Sequence, residues 1–307
     1  MGELCCPEGH CYPVVDGIPV LLLPESRATH QSTVHSLEEA SERGLAPVDP
    51  LPERRGGIDP YVQEAVAATN GIMWKQRLGR LRSYPIPEAP LPRVAPGGIA
   101  FLDVGCNWGR WCIAAWRLGY SPVGIDVNLE AVRAAYRVAE QLGIEAGYVV
   151  ADARHLPFLE DTFPIVFSYS VLQHFDKGDT RRALAEASRV LGRGGQVVIQ
   201  MPNRYGLRCL YHQTRRGFRR AQAFEVRYWG PRELVSTFGR LIGPTRLSVD
   251  GYFSLNAQPS EAHQLPLQYR AVVRLSRGLQ ALSRRFPSLL HLADSLWVMA
   301  EKPRGAS

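Results

Sequence analysis

The chain of 307 residues is long enough for one large α/β domain with additions and too short for two full-sized catalytic domains. Its hydrophobic fraction of 45% and charged fraction of 21% are those of an ordinary globular protein, which excludes a disordered or collagen-like chain. The net charge of +7, mostly arginine and denser after Met201, allows an anionic partner and equally fits charges spread over solvated faces.

No uninterrupted apolar run is long enough to cross a bilayer. Val14 to Leu23 is broken by Asp16, Gly17 and Pro19 and lacks a basic lead-in, so it does not read as a signal peptide, and a cytoplasmic location is expected. The six cysteines, at 5, 6, 11, 106, 112 and 209, are spread too unevenly for a disulfide framework, and reduced thiols are expected.

In chain order, residues 1–24 form a short apolar, cysteine-bearing unit, and residues 25–57 read as a polar, Pro-rich and Gly-rich linker. Residues 58–97 give a helical cap from Asp59 to about Leu81, stopped by YPIPEAPLP, and then an extended connector. Residues 98–202 alternate strand and helix, as a parallel sheet covered on both faces requires. Strands are predicted at Ile99–Val104, Pro122–Asp126, Ala146–Ala151, Pro164–Tyr169 and Gln196–Met201. Helices are predicted at Trp108–Leu118, Leu129–Leu142 and Asp179–Leu191. Residues 203–230 are an Arg-rich and aromatic insertion that reads as a substrate lid or as a solvated amphipathic helix. Residues 231–307 add a helix opened by Pro231, a strand near Leu247–Tyr252, an amphipathic helix Gln268–Arg285 and a last strand Ser295–Glu301.

The chemistry is concentrated in FLDVGCNWGRW, Phe101 to Trp111. A Gly-rich turn from strand to helix lets backbone amides approach a ligand, and the helix N-terminus adds a positive potential. The carboxylate at the strand's end, in the order Asp103-Val104-Gly105-Cys106-Asn107-Trp108-Gly109, repels a pyrophosphate and suits a cation. In GIDVN, Asp126 ends the second strand, where an acidic side chain can accept both hydroxyls of a ribose, and Ala151-Asp152-Ala153 ends the third.

These three elements in order resemble class I S-adenosylmethionine-dependent methyltransferases, and the resemblance, closest to the Methyltransf_11-like branch acting on small molecules, covers about Gly98 to Asn203. It implies a Rossmann-like, seven-stranded, mostly parallel sheet with helices on both faces and an antiparallel final strand. It implies S-adenosyl-L-methionine as cofactor, held by Asp103, Gly105, Cys106, Asn107, Trp108 and Gly109 at its amino-acid end, by Asp126 and Val127 at the ribose, by Asp152 and Ala153 at the adenine, and by Ser170. Two positions depart from the family pattern. Asn107 stands where glycine is usual, and Asn tolerates a left-handed backbone; Phe163-Pro164 stands where Phe-Asp is common.

Transfer of an activated methyl group needs an oriented nucleophile, and a hydroxyl nucleophile needs a proton acceptor. His174 in VLQHF, after the fourth strand, is the candidate base, with packing beside the cofactor as the structural alternative. Tyr169, Gln173, Arg204, Tyr205, Tyr211, His212 and Tyr228 are candidate acceptor-binding residues, with core packing as their alternative. CCPEGHCYPVVDGIPVLL resembles the second half of a zinc-ribbon-like module whose first cysteine pair is absent; Cys5, Cys6, His10 and Cys11 lie too close together for an easy tetrahedron, and no metal is expected. The leading expectation is methyl transfer to a small molecule, anionic ones included, at a hydroxyl oxygen of a natural-product, sugar, quinone or lipid-linked intermediate. The alternatives are an RNA base methyltransferase, which the absence of an RNA-binding module disfavours, and a non-catalytic cofactor-binding partner. The Gln268–Arg285 helix also permits peripheral contact with an anionic membrane.

Overall fold

The computed structural model describes residues 2–23, 26, 31–43 and 57–305. The first strand of the core, β4 (Ile99–Val104), is apolar on both faces but for Asp103 because both its faces are covered, and its last four residues are buried. It pairs in parallel with β5 (Tyr120–Asp126) on one side and β7 (Phe163–Ser168) on the other; β6 (Gly147–Ala151) continues from β5, and β8 (Leu191–Pro202) from β7. The final strand, β10 (Ser295–Glu301), lies antiparallel between β8 and β9 (Thr245–Gly251). These seven strands run β6-β5-β4-β7-β8-β10-β9.

The sheet is larger than the seven strands expected. Three N-terminal strands, β1 (Gly2–Cys5), β2 (Cys11–Val15) and β3 (Ile18–Leu21), extend it to ten among the described residues, with β3 running parallel to β6 through Val20–Val150 and Leu21–Ala151. The cause is a hairpin edge: once Asp16-Gly17 turns β2 back as β3, an apolar edge needs a partner, and β6 supplies it. Cys5 and Cys11 are register partners across β1 and β2 and are joined as a disulfide, correcting the expectation that every thiol is reduced; Cys6, Cys106, Cys112 and Cys209 are free. Both bonded sulfurs are thereby withdrawn from the cluster that resembled a zinc knuckle.

The stretch read as a linker holds α1 (Gln31–Arg43), outside which residues 44–56 lie beyond the described ones. The predicted helix Asp59–Leu81 ends early: α2 (Pro60–Thr69), capped by the Asp59 carboxylate on the Tyr61 amide, stops at Asn70, and Gly71, at φ 98°, starts a separate 3-10 turn, Ile72–Arg77. Arg133 of α4 (Leu129–Leu142) clamps these additions to the core, reaching Asp16 at 2.8 Å and Glu39 at 2.6 Å, and Arg137 grips Asp59 at 2.7 Å.

Alternation along β4 separates two cores. Leu102 and Val104 face a cluster with Ala183 and Leu184 of α5 (Lys177–Val190) and Leu234 and Phe238 of α7 (Pro231–Leu241). Phe101 faces Trp111 of α3 (Arg110–Trp116), Phe167 and Trp297. Asp103 shares the Phe101 face. The insertion holds α6 (Leu207–Arg215), and α8 (Leu267–Arg285) packs against β9. No helix among the described residues is long and apolar enough to cross a membrane.

Candidate cofactor and acceptor site

The carboxyl ends of β4, β5, β6 and β7 converge, and the loop after β4 is shaped by positions that admit no ordinary side chain. Gly105, at φ 81°, could not carry a Cβ, which would lie 2.2 Å from Val171 Cγ2. Asn107 adopts φ 48°, the left-handed conformation anticipated for it. Its side chain accepts from the Trp108 amide at 2.9 Å and donates to the Tyr61 hydroxyl at 3.2 Å, so α2 reaches the loop.

Asp103 is fully buried. One carboxylate oxygen accepts the Cys112 thiol at 3.5 Å; the other has no hydrogen-bond partner. Burial pushes its pKa up to about 7, the Cys112 thiol and Arg110 oppose the rise, and the charge of Asp126 adds to it. Asp126 accepts the Asn107 amide at 3.0 Å on one oxygen and the Asn128 amide at 3.0 Å on the other, which ties the loop to the cap of α4. The Val127 carbonyl accepts from Ser36 of α1 at 2.8 Å.

The other expected cofactor contacts divide. Cys106, Trp108 and Ala153 are buried, with the Trp108 indole packed beside Tyr84 and donating to Thr69 at 3.3 Å, so its side chain is core. Gly109 caps α3 at φ 79°, pressed against Tyr148. Asp152 is gripped by Arg154, whose Nε and backbone amide both reach one of its oxygens, at 3.0 and 2.9 Å. Burial would raise its pKa, but those bonds outweigh it and hold the group below its ordinary value.

Tyr169, Ser170 and Gln173 are brought together after β7. Ser170, at φ 64°, donates its amide to Gln200 at 2.9 Å, and the Gln173 amide group donates to the Ser170 hydroxyl at 2.6 Å. Tyr169 donates to Asp250 at 2.9 Å, and Gln200 and Ser295 complete a buried polar chain back to the same carboxylate. His174 stacks on Phe224, with ring centroids 3.7 Å apart and planes within 4°. Its Nδ1 lies 2.8 Å from the Phe224 carbonyl and its Nε2 3.1 Å from the Gln173 amide nitrogen.

The insertion residues do not gather there. Tyr205 and Tyr211 are exposed, Arg204 lies at the surface, His212 accepts from Arg208 at 3.2 Å, and Tyr228 sits under Arg216. Phe224 and Arg227 are what the insertion contributes, Arg227 donating to the His174 carbonyl at 2.8 Å. Sequence reasoning also missed Arg110, which is buried over the Trp111 and Tyr169 rings and donates to Glu261 at 3.3 Å. Glu261 is pushed up to about 7 by burial, with Arg110 and Asn70 opposing. Its partner lies 151 residues away, and no local pattern announces it.

Residues 101–195 match the family model described as a methyltransferase domain. Norajmaline N-methyltransferase of Rauvolfia serpentina is 32% identical over 101 residues, covering 32% of this chain and 34% of that one. Ubiquinone biosynthesis O-methyltransferase of Brucella anthropi is 29% identical over 125 residues, 39% of this chain and 48% of that one, so the chain spans half or less of these curated relatives. A solved complex between the Haloferax volcanii Trm112 methyltransferase activator and a methyltransferase aligns with 81% of this chain and 96% of the matched one, at 17% identity and a TM-score of 0.49. The family match opens two residues before the buried carboxylate and runs through the strands that carry Asp126 and Asp152, so the segment that resembles a methyltransferase domain is the one that builds this site.

Proposed function

We propose that the chain is an enzyme that transfers the methyl group of S-adenosylmethionine to a small-molecule acceptor, at a hydroxyl oxygen. The observation that carries this reading is the pair Asp103 and Asp126 astride a loop too tight for a side chain at Gly105. A buried carboxylate oxygen without a donor is costly, and the unpartnered oxygen of Asp103 fits an arriving ammonium group. Asp126 fixes the loop from the end of β5, the position at which the ribose hydroxyls would be held. When bound, S-adenosylmethionine supplies a sulfonium-activated methyl carbon, and the protein's part is to orient the acceptor and exclude water.

On the acceptor side, the Phe224 carbonyl takes the proton of His174 Nδ1 and leaves the Nε2 lone pair facing the Gln173 amide. Gln173 can also donate to Ser170, so an acceptor hydroxyl that replaces it at Nε2 meets an oriented imidazole. The relatives' names, one an N- and one an O-methyltransferase, support methyl transfer; the oriented imidazole favours oxygen, because a neutral amine needs no base to attack. Calorimetric titration with S-adenosylmethionine, followed by tritiated-methyl transfer to hydroxylated acceptors, tests the proposal. Saturable binding and label in an acid-stable ether are expected; no binding by the wild-type chain would overturn it.

A further inference from the structure

Two helices outside the site carry apolar stripes that face solvent. In α6, Cys209 and Gln213 are buried, whereas Leu207, Leu210 and Tyr211 stand at i, i+3 and i+4 on the outer side, Tyr211 with 55% of its surface exposed. Phe218, just beyond the helix, is 65% exposed. In α8 only Val273 is fully buried; Tyr269, Val272 and Leu279 pack partly against the core. Leu275, Leu282 and the cap residue Phe286 stand at i, i+7 and i+11, one face of the helix, and all three are exposed. A surface helix ordinarily turns one apolar stripe inward. α8 turns one inward and presents a second to water.

The two helices are joined. α8 leads through the 3-10 turn Pro287–Leu292, with Leu292 exposed, to Asp294, whose carboxylate accepts the Cys209 amide of α6 at 2.8 Å. Asn203, just before α6, donates to the carbonyls of His291 and Ala293 at 3.0 and 2.8 Å.

Charge selects the occupant. α8 carries five arginines and no acidic residue, and α6 carries two arginines and none. A second copy of the chain would set these like charges face to face, which disfavours a symmetric dimer through this surface. Tyr211, Phe218 and Phe286 offer rings on which bases could stack, but the exposed leucines Leu207, Leu210, Leu275, Leu282 and Leu292 outnumber them and give RNA no partner. Leucines at the acyl boundary with arginines reaching the headgroups are the arrangement of a helix lying in a bilayer interface. We infer that α6 and α8 form a docking surface for an anionic phospholipid bilayer. The inference stands apart from the methyl-transfer reading. It bears on that reading through the loop after α6, which sets Phe224 and Arg227 on His174, so a docked chain meets acceptors dissolved in the membrane.

Co-sedimentation of the whole chain with phosphatidylcholine vesicles, with and without phosphatidylglycerol, tests it. Binding only to the phosphatidylglycerol vesicles, released by salt, is expected. Leu210→Glu with Leu282→Glu should weaken partitioning at least tenfold, and Arg274→Gln with Arg285→Gln about thirtyfold, with unchanged melting by circular dichroism. The inference is overturned by wild-type indifference to phosphatidylglycerol, or by vesicle binding that survives both double variants. It is also overturned by a dimer in light scattering that Leu275→Glu disperses, or by RNA binding in place of vesicle binding.

Discussion

The Asp126 carboxylate holds the backbone amide of Asn107 at 3.0 Å, so the residue that departs from the family pattern is fixed by the side chain that the ribose reading needs. Asn107 stays at φ 48° because its side-chain Oδ1 accepts the Trp108 amide and its side-chain Nδ2 donates to the Tyr61 hydroxyl. Asn107→Gly keeps the conformation and loses the tether, and cofactor affinity should stay within about threefold of wild type. Asn107→Val places a β-branched side chain at positive φ and should cost about 1–2 kcal/mol in stability and more than tenfold in affinity. Asp126→Ala should weaken S-adenosylmethionine about 100-fold, since charged hydrogen bonds to both loop and ligand go together. Calorimetry and thermal melts separate the three.

Asp103 gives a pH dependence whose sign is fixed. Its pKa in the folded protein is about 7, above the unfolded value, because burial disfavours the charge. An ammonium ligand needs the carboxylate, so affinity for S-adenosylmethionine should fall about tenfold per pH unit below 7, and fall again where the ligand's own ammonium group loses its proton, above about pH 8. Between the unfolded value and 7 the folded chain holds the extra proton, so this group's contribution to apo stability is lost as pH rises through that window. Asp103→Asn should therefore stabilise the apo protein at pH 8, on the order of 2 kcal/mol, while removing cofactor binding and its pH dependence. A variant destabilised at pH 8, or an unchanged pH profile, would contradict the assignment.

Gly105 and Val171 are coupled by contact. A methyl group at Gly105 would meet the two Val171 methyls at 2.2 and 2.9 Å, in a backbone conformation that already penalises it. Gly105→Ala should lower the melting temperature and abolish cofactor binding. Adding Val171→Ala relieves the overlap and leaves the positive φ, so the double variant should recover part of the stability, with about 1–2 kcal/mol of strain remaining. Full recovery would mean that the clash alone governs the position.

What was legible in the sequence was whatever local chemistry fixes. β4, α4 and β10 begin and end where their residues predict, α4 because Asn128 caps its start and Gly143, at φ 65°, closes its end. The early stop of α2 was readable too, since Asn70-Gly71 is a turn dipeptide inside a helical pattern. The additions at the N-terminus were not. The β3–β6 pairing, the Ser36 bonds to the second loop and the Arg110–Glu261 ion pair join residues 91 to 151 positions apart or unite separate sheet edges. Periodicity reports which face of an element is apolar, and it is silent on which distant partner covers it. The aromatic insertion shows the same limit: its composition suited a pocket, and which of its residues meet His174, Phe224 and Arg227 among them, depends on how the chain returns.

His174 is the sharpest test of the chemistry. Its stacking on Phe224 and its two hydrogen bonds fix the ring plane and the tautomer, and the lone pair it offers is covered by the Gln173 amide. A general base of this kind is worth about 10²–10⁴ in rate, so His174→Ala should lower kcat by at least 100-fold with cofactor affinity unchanged. Phe224→Ala removes the stacking partner and keeps the backbone carbonyl that orients Nδ1, so it should cost less, about tenfold. Gln173→Ala uncovers Nε2 and loosens the ring at once, which should raise KM more than it lowers kcat. If His174→Ala turned over at the wild-type rate, the imidazole would be a packing residue and the acceptor would lose its proton elsewhere.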